Sequence, residues 1–363
     1  MASIRVQNLR KAFGEFVAVQ DSSFTVPDGK FFCLLGPSGC GKTTTLRMIA
    51  GLELPTSGEI WLGEEDTTFK RAGARDIAFV FQMFALYPHM SVRANMEYPL
   101  RNMGTKRAEI RTRVAEAARI LQIEHLLDRG VGGLSGGDRQ RVALGRAIVR
   151  QPLAFLMDEP LGALDAEFRH VMCGELRALH DRLRATTVYV THDQLEAMAM
   201  ADLIAVMNHG VIEQLAPPQE ISDRPATIFV ADFIGAPSMN LLEVAANTAP
   251  GDTTLRLGAA EIAMPRLHQA ASGQALALGV RPEHVQLADD SPLRGEVFGT
   301  EYLGTTQIVT LTTAHGVLRA RTRAEVTLSI GEQVGIKFRP EKLSLFDRAT
   351  GRALTSALHQ GPA

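Results

Sequence analysis

The chain has 363 residues, 45% hydrophobic and 21% charged, a balance typical of folded globular proteins that excludes wholesale disorder and fibrous repeats. At about 150 residues per domain, this length predicts two or three units with ample core. Its 38 Lys and Arg against 40 Asp and Glu leave a net charge of -2, without the positive excess of general nucleic-acid binders, so no nucleic-acid partner is expected. The three cysteines, Cys33, Cys40 and Cys173, form no C-x-x-C pair and fit a reducing compartment. The start, Met1 to Val6, has no signal-peptide pattern, and no apolar run reaches the roughly 18 residues of a membrane span. Any membrane role is expected to run through a partner.

Phe31 to Leu35 is an apolar run that predicts a buried parallel strand. Directly after it, Gly36-Pro37-Ser38-Gly39-Cys40-Gly41-Lys42-Thr43 satisfies G-x-x-x-x-G-K-[ST], and Thr44 opens the helical run to Ile49. Glycines let such a loop fold back so that its N–H groups point at phosphate oxygens, and the helix adds its positive end. Lys42 is expected to hold the β- and γ-phosphates, and the Thr43 hydroxyl to ligate Mg2+. Ile77 to Phe81 predicts a second buried strand that leads into Gln82, a candidate sensor of Mg2+ and water. Between Thr105 and Arg129 the spacing of Ile110, Val114, Ala117 and Leu121 predicts an amphipathic helix, with Lys106, Arg107 and Arg111 on its solvated face.

In Leu134-Ser135-Gly136-Gly137-Asp138, Ser135 reads as an N-cap with Asp138 three residues on, while the paired glycines expose bare N–H groups to an anion. Leu153 to Met157 predicts a strand running into Asp158 and Glu159, at the strand end where open parallel sheets bind ligands. An Asp-Glu pair alone is more often a helix-start signal, but beside a phosphate loop it reads as chemistry. Asp158 is expected to orient Mg2+, and Glu159 to take the proton of an attacking water. A helix over 167–184 precedes the strand Thr187 to Val190, which leads through Thr191 to His192, a candidate contact of the γ-phosphate. Strand, helix, strand predicts an α/β fold with a parallel sheet and crossover helices. Beyond residue 240 the texture becomes β-rich, with a hairpin around His315 and Gly316. There Arg281-Pro-Glu-His284 and Arg339-Pro-Glu-Lys342 mark either a duplicated strand-turn unit or a coincidence.

Together these motifs resemble the ATP-binding subunit of an ABC transporter. Gly36 to Thr43 matches the Walker A loop, Gln82 the Q-loop, Leu134 to Asp138 the signature, and Leu153 to Glu159 Walker B. Leu161 to Asp165 matches the D-loop and His192 the switch histidine, all in the family's order. The resemblance implies an ATPase of the P-loop NTPase fold over 1–235, with a helical subdomain at about 88–152, and a TOBE-type, OB-like β domain over 236–363. It implies ATP and Mg2+ as cofactors, Phe13 stacked on adenine, and a head-to-tail homodimer in which the signature of one copy closes over the ATP of the other. Two departures stand out: Asp138 where the family carries Gln, and Gly162 where many members carry Ser.

Phe84 to Val92, Thr191 to Gln194 with Glu196 and Ala197, Phe233 to Asn240, and Gly279 to His284 resemble importers of sugars, polyols and glycerol phosphates. Polyamine, iron and sulfate importers share most of this layout. The implied partners are two integral membrane permease subunits, docked beside Gln82 and the helical segment near Phe84, Leu86, Tyr87 and Met90. An extracytoplasmic solute-binding protein completes the complex, so the chain is expected at the cytoplasmic face of the inner membrane as a peripheral protein. A soluble non-transport ABC ATPase is the competing class, but those proteins usually carry two cassettes or a long coiled coil, and this sequence has one cassette and no sustained heptads. Intact Glu159 and His192 argue against a module that binds ATP without hydrolysis.

Overall fold

A computed structural model describes residues 2–81, 85–162, 164–271 and 275–359; Gln82, Phe84 and Ala163 lie outside them. The chain divides into two compact units, Met1–Pro218 and Gln219–Ala363.

The first unit begins with a hairpin of β1 (Ile4–Phe13) and β2 (Phe16–Val26). There follow β3 (Phe31–Leu35), α1 (Lys42–Ile49), β4 (Ser57–Leu62), β5 (Glu65–Asp66) and β6 (Ile77–Val80). Three helices come next, α2 (Val92–Asn102), α3 (Arg107–Ile120) and α4 (Gly136–Ile148). The unit closes with β7 (Ala154–Asp158), α5 (Ala166–Leu183), β8 (Thr186–Thr191), α6 (Gln194–Met200), β9 (Leu203–Asn208) and β10 (Val211–Ala216). One antiparallel sheet has the order β2-β1-β4-β5; the other has the order β10-β9-β3-β8-β7-β6 and is parallel except for β10. Every residue of β3 and β8 is buried, the pattern of parallel strands covered on both faces rather than the alternation of a half-exposed sheet. Because β3, β6, β7, β8 and β9 run the same way, their C-terminal ends share one edge. Leu46, Met48 and Ile49 of α1 are fully buried in the core between these elements, and each such side chain contributes about 1.5–3 kcal/mol.

The amphipathic helix is shorter than its hydrophobic spacing predicts. Ile110, Val114 and Ala117 form its buried face, but α3 stops at Ile120. Gln122 turns into the left-handed region at φ 58°, and the Ile123 N–H bonds back to the Ala118 carbonyl at 2.9 Å. Two short 3-10 turns, Glu124–Leu126 and Val131–Gly133, fill the path to α4.

Ahead of β6, Arg75 is 2% exposed. Its Nη1 donates to the carbonyls of Met48 and Ile49 at 2.7 and 2.6 Å, Nη2 to Thr68 at 3.0 Å and Nε to Lys70 at 3.0 Å. The guanidinium thus caps the C-terminal carbonyls of the helix that starts at the phosphate loop. Burial lowers its pKa to about 10, so it remains charged at neutral pH.

The second unit opens with α7 (Pro218–Asp223) and α8 (Ile228–Phe233). Its strands are β11 (Asn240–Ala245), β12 (Thr254–Leu257), β13 (Ala260–Ala263), β14 (Ala275–Val280), β15 (Val285–Leu287), β16 (Arg294–Tyr302), β17 (Thr306–Thr313), β18 (Gly316–Arg323), β19 (Gln333–Phe338) and β20 (Ser344–Asp347). They form sheets ordered β11-β14-β20, β12-β13 and β15-β19-β16-β17-β18 around a core that includes Leu278, Val309, Leu311 and Leu318. The expected hairpin at His315 and Gly316 is β17-β18. The two similar strings face each other: β14 pairs with β20 and β15 with β19 in one antiparallel register, interrupted on both sides by the 3-10 turns Pro282–His284 and Pro340–Lys342. They are the same strand-turn-strand element used twice. Only Arg281 of the pair is buried, where it donates to the Ser222, Ala231 and Ile234 carbonyls and fastens the segment ahead of 236 to the β domain.

Replacing Arg75 by Met leaves dry carbonyl acceptors at the end of α1. Urea unfolding is expected to show a loss of about 2–4 kcal/mol; a loss under about 0.5 kcal/mol, the scale of an ordinary surface change, would show that the cap is dispensable.

Candidate active site

After β3 the chain turns through a loop that only glycine permits at two places. A Cβ on Gly36 would lie 2.2 Å from the Met207 carbonyl oxygen. A Cβ on Gly41, the N-cap of α1 at φ 107°, would lie 2.5 Å from that of Ala18. The backbone is therefore pressed against its neighbours, and the first N–H groups of α1, at Lys42, Thr43 and Thr44, have no acceptor within the helix. Pro37, Ser38 and Gly39 form the outer bend, where Ser38 and Gly39 are exposed and Cys40 is buried. Lys42 is 4% exposed and donates from Nζ to the Gly36 and Pro37 carbonyls at 2.9 and 2.8 Å, so its ammonium sits at the loop's mouth. Burial raises the Cys40 thiol's pKa above its ordinary value, which keeps it protonated.

The Thr43 hydroxyl donates to Asp158 Oδ1 at 2.9 Å, joining the start of α1 to the end of β7. Burial pushes the Asp158 pKa up, and the Thr43 hydrogen bond pulls it partly back. A hydroxyl and a carboxylate side by side are hard oxygen donors and fit Mg2+. Glu159 lies next to Asp158 at φ 43°, a left-handed conformation that is uncommon and costly for a residue with a Cβ. Its N–H bonds the Val190 carbonyl at 3.0 Å and its carbonyl accepts from the Gly162 N–H at 3.2 Å, so backbone bonds hold the turn. His192, after β8, is half-exposed and brings Nδ1 within 3.3 Å of Glu159 Oε1. Lys42, Thr43, Asp158, Glu159 and His192 thus meet at the edge that the strand reading predicted; Gln82 lies outside the described residues.

Two further predicted elements lie outside this group of contacts. Phe13, at the end of β1, is 47% exposed with Lys11 Nζ 4.7 Å from its ring centroid, an exposed aromatic face carrying a cation. Ser135 caps α4 by accepting from the Asp138 N–H at 3.1 Å, and its hydroxyl donates to Asp138 Oδ2 at 2.7 Å. Asp138 Oδ1 lies 3.5 Å from Arg141, which also grips Glu175. The carboxylate is therefore turned sideways onto Ser135 and Arg141. Gly137 has a reason to be glycine beyond an open N–H: a Cβ there would meet the Phe168 ring at 2.2 Å. Among the described residues, no hydrogen bond or ion pair joins Ser135–Asp138 to the loop at 36–43.

Comparison with known proteins matches residues 19–162 to the ABC transporter model, 235–285 to the MalK OB fold domain and 278–346 to the TOBE domain. The trehalose/maltose import ATP-binding protein MalK of Thermococcus litoralis is 44% identical over 98% of this chain and 100% of its own length. The chain belongs to the ABC transporter family of ATP-binding subunits. The sn-glycerol-3-phosphate import ATP-binding protein UgpC of a Ruegeria species is 46% identical over 97% of this chain and 99% of its own. Among solved structures, the dimeric bacterial ABC transporter cassette MJ0796 aligns with a TM-score of 0.53 and 30% identity, covering 59% of this chain and 98% of that one. The protein is thus an ATP-binding and ATP-hydrolysing ABC subunit with a C-terminal OB and TOBE region. No helix among its described residues is long and apolar enough to cross a membrane.

Arg75, Arg169 and Tyr189 carry no recognisable signal in the sequence. Nothing in their local spacing marks them, because their partners lie on other elements. Glu196 entered only as part of a likeness.

Since the Asp138 carboxylate is turned onto Ser135 and Arg141, and makes no hydrogen bond or ion pair to the loop at 36–43 among the described residues, Asp138→Gln is expected to leave ATP turnover within about twofold of wild type. A tenfold loss in steady-state assays would assign the carboxylate a task at the phosphate.

Proposed function

We propose that this chain is the motor of an importer for a carbohydrate or a glycerol phosphate, acting on separate membrane subunits that it touches but the solute need not. The observation that carries this reading is likeness along the whole chain: relatives named for trehalose/maltose and glycerol-phosphate import are 44% and 46% identical across both units. That span supports a functional division near 235/236, where the OB match begins, and an importer layout over polyamine, iron or sulfate alternatives.

In the proposed mechanism the N–H groups of 36–44 and the Lys42 ammonium bind the β- and γ-phosphates, and Phe13 stacks on adenine for about 1–3 kcal/mol. Thr43, Asp158 and Gln82 would hold Mg2+. The ion would neutralise charge on the phosphate oxygens. Glu159 accepts the proton of the attacking water, and His192, 3.3 Å away, orients that carboxylate and contacts the γ-phosphate. Ser135, Gly136 and Gly137, with Asp138 turned aside, act in trans: in a head-to-tail homodimer each signature helix presents its N-terminus to the phosphate held by the other copy. ATP binding closes the dimer and hydrolysis reopens it, which drives two permease subunits docked near Tyr87 and the helices over 88–152. Tyr87 is braced for this by Asn95, which accepts from its N–H and donates to its carbonyl, and by the Arg146 guanidinium 5.5 Å from its ring centroid. The protein would then sit peripherally at the cytoplasmic face of the inner membrane, with an extracytoplasmic solute-binding protein delivering the cargo.

Glu159→Gln keeps the shape and removes the base. It is expected to retain ATP binding, lower turnover by about 10²–10⁴, and accumulate an ATP-dependent dimer in size-exclusion chromatography; unchanged turnover would remove Glu159 from its role. Gentle solubilisation of native membranes, affinity capture of the chain and mass spectrometry are expected to recover two multi-span proteins with a solute-binding protein. Recovery of ribosomal or DNA-repair proteins without a membrane chain would overturn the transport reading and leave the ATPase intact.

A further inference from the structure

Behind the His192 loop lies a charge cluster around a buried carboxylate that the mechanism above leaves unused. Glu196, in the first turn of α6, is 4% exposed, and its Oε2 accepts from the Tyr189 and Thr191 hydroxyls, both at 2.7 Å. These two bonds fix the carboxylate against β8, the strand that ends at His192. Arg169, in the first turn of α5, reaches it from the other side. Its Nε lies 3.6 Å from Glu196 Oε1, its Nη1 donates to Asp193 Oδ2 at 3.1 Å, and its Nη2 donates to the Leu164 carbonyl at 2.9 Å.

Two of those partners, Leu164 and Asp193, belong to loops that carry a reacting group. Leu164 is in the segment that runs from Glu159 into α5, just ahead of Asp165, whose carboxylate caps α5 by accepting from the Phe168 N–H at 2.9 Å. Asp193 follows His192 directly and caps α6, accepting from the Leu195 and Glu196 N–H groups. The Glu159 and His192 loops leave different strands, and the 3.3 Å contact between their side chains needs both loops held to a fraction of an ångström. Glu159 is held in a strained left-handed turn, so its loop is a place where lost bracing is expected to relax the geometry. A guanidinium suits the task, because its rigid fork binds acceptors on two loops at once, which an ammonium does less well.

We propose that Arg169 is a positioning residue for hydrolysis, a brace that locks the Glu159 loop to the His192 loop through Leu164, Asp193 and the buried Glu196. This rests on the assignment of Glu159 and His192 above. Arg169 acts through the contact between Glu159 and His192 and does not itself bind the nucleotide, so its loss lowers kcat and spares ATP affinity.

The test is a double-mutant cycle on the full chain with Arg169→Ala, His192→Ala and the pair, reading kcat, KM for ATP and nucleotide affinity. Arg169→Ala alone is expected to lower kcat about 10–100-fold with KM unchanged. In the His192→Ala background the same change is expected to cost less than about twofold, because the group it positions is gone. Arg169→Lys keeps the charge and the fold, and is expected to lose less kcat while staying non-additive with His192→Ala. Equal losses in both backgrounds, or a change in melting temperature without a change in kcat, overturn the brace while leaving the roles of Glu159 and His192 standing. Full turnover in His192→Ala alone refutes the underlying assignment instead, and the brace falls with it.

Discussion

The 2.9 Å hydrogen bond from Thr43 to Asp158 is the contact on which the rest of the cassette's chemistry depends. It joins the first turn of α1 to the last residue of β7, and so joins the element that cradles phosphate to the strand that presents carboxylates. It can form only because β3, β8 and β7 run parallel, which puts all their C-terminal ends on one edge, and because Gly36 and Gly41 let the loop close against the Met207 and Ala18 carbonyls. Bulk at either glycine would lift α1 away from that edge. The buried apolar strands supply the rigidity, and the loops at their ends supply the function.

Two guanidinium groups, Arg75 buried and Arg169 partly so, extend this logic away from the nucleotide. Arg75 closes the far end of α1 by taking up its terminal carbonyls, while Arg169 spans the loops beside Glu159 and His192. Burial penalises a charge without partners: Arg75 answers with four carbonyl acceptors, and Arg169 with two hydrogen bonds and the Glu196 carboxylate 3.6 Å from its Nε. Burial acts on the carboxylates too: it raises the pKa of Asp158 and of Glu196, and neighbouring hydroxyls from Thr43, Tyr189 and Thr191 offset part of that rise. Lys42 and Asp158 are therefore charges drawn out of water and held by directed hydrogen bonds, an arrangement that favours electrostatic stabilisation of a reacting phosphate.

The phosphate loop, the Asp158-Glu159 strand end and His192 were legible in the sequence because each is a short string with a fixed relation to an apolar strand. The α/β class and the β-rich second unit were legible for the same reason, since strand and turn patterns are local. What escaped is non-local. Arg75 reaches carbonyls 27 residues away, Arg169 reaches Asp193 across 24, and neither has a neighbouring pattern that announces its partners. The end of α3 was missed because hydrophobic spacing continues to Leu121 while the backbone at Gln122 turns left-handed. Gly137 illustrates a subtler gap: its glycine reads as an exposed N–H, yet the Phe168 ring already excludes a Cβ there. The paired Arg-Pro-Glu strings hinted at duplication, but only the shared antiparallel register shows them facing each other.

In the head-to-tail dimer proposed for this chain, one hydrolytic site is built from the phosphate loop of one copy and the signature helix of the other. Mixed dimers test it most directly. Lys42→Ala disables the phosphate loop and Ser135→Arg blocks the signature, so each homodimer is expected to be inactive. When the two variants are co-assembled, the account predicts that ATP turnover returns, because the intact loop of the Ser135→Arg copy meets the intact signature of the Lys42→Ala copy. Turnover no higher than the sum of the two separate variants would mean that loop and signature must belong to the same chain, and would contradict the account.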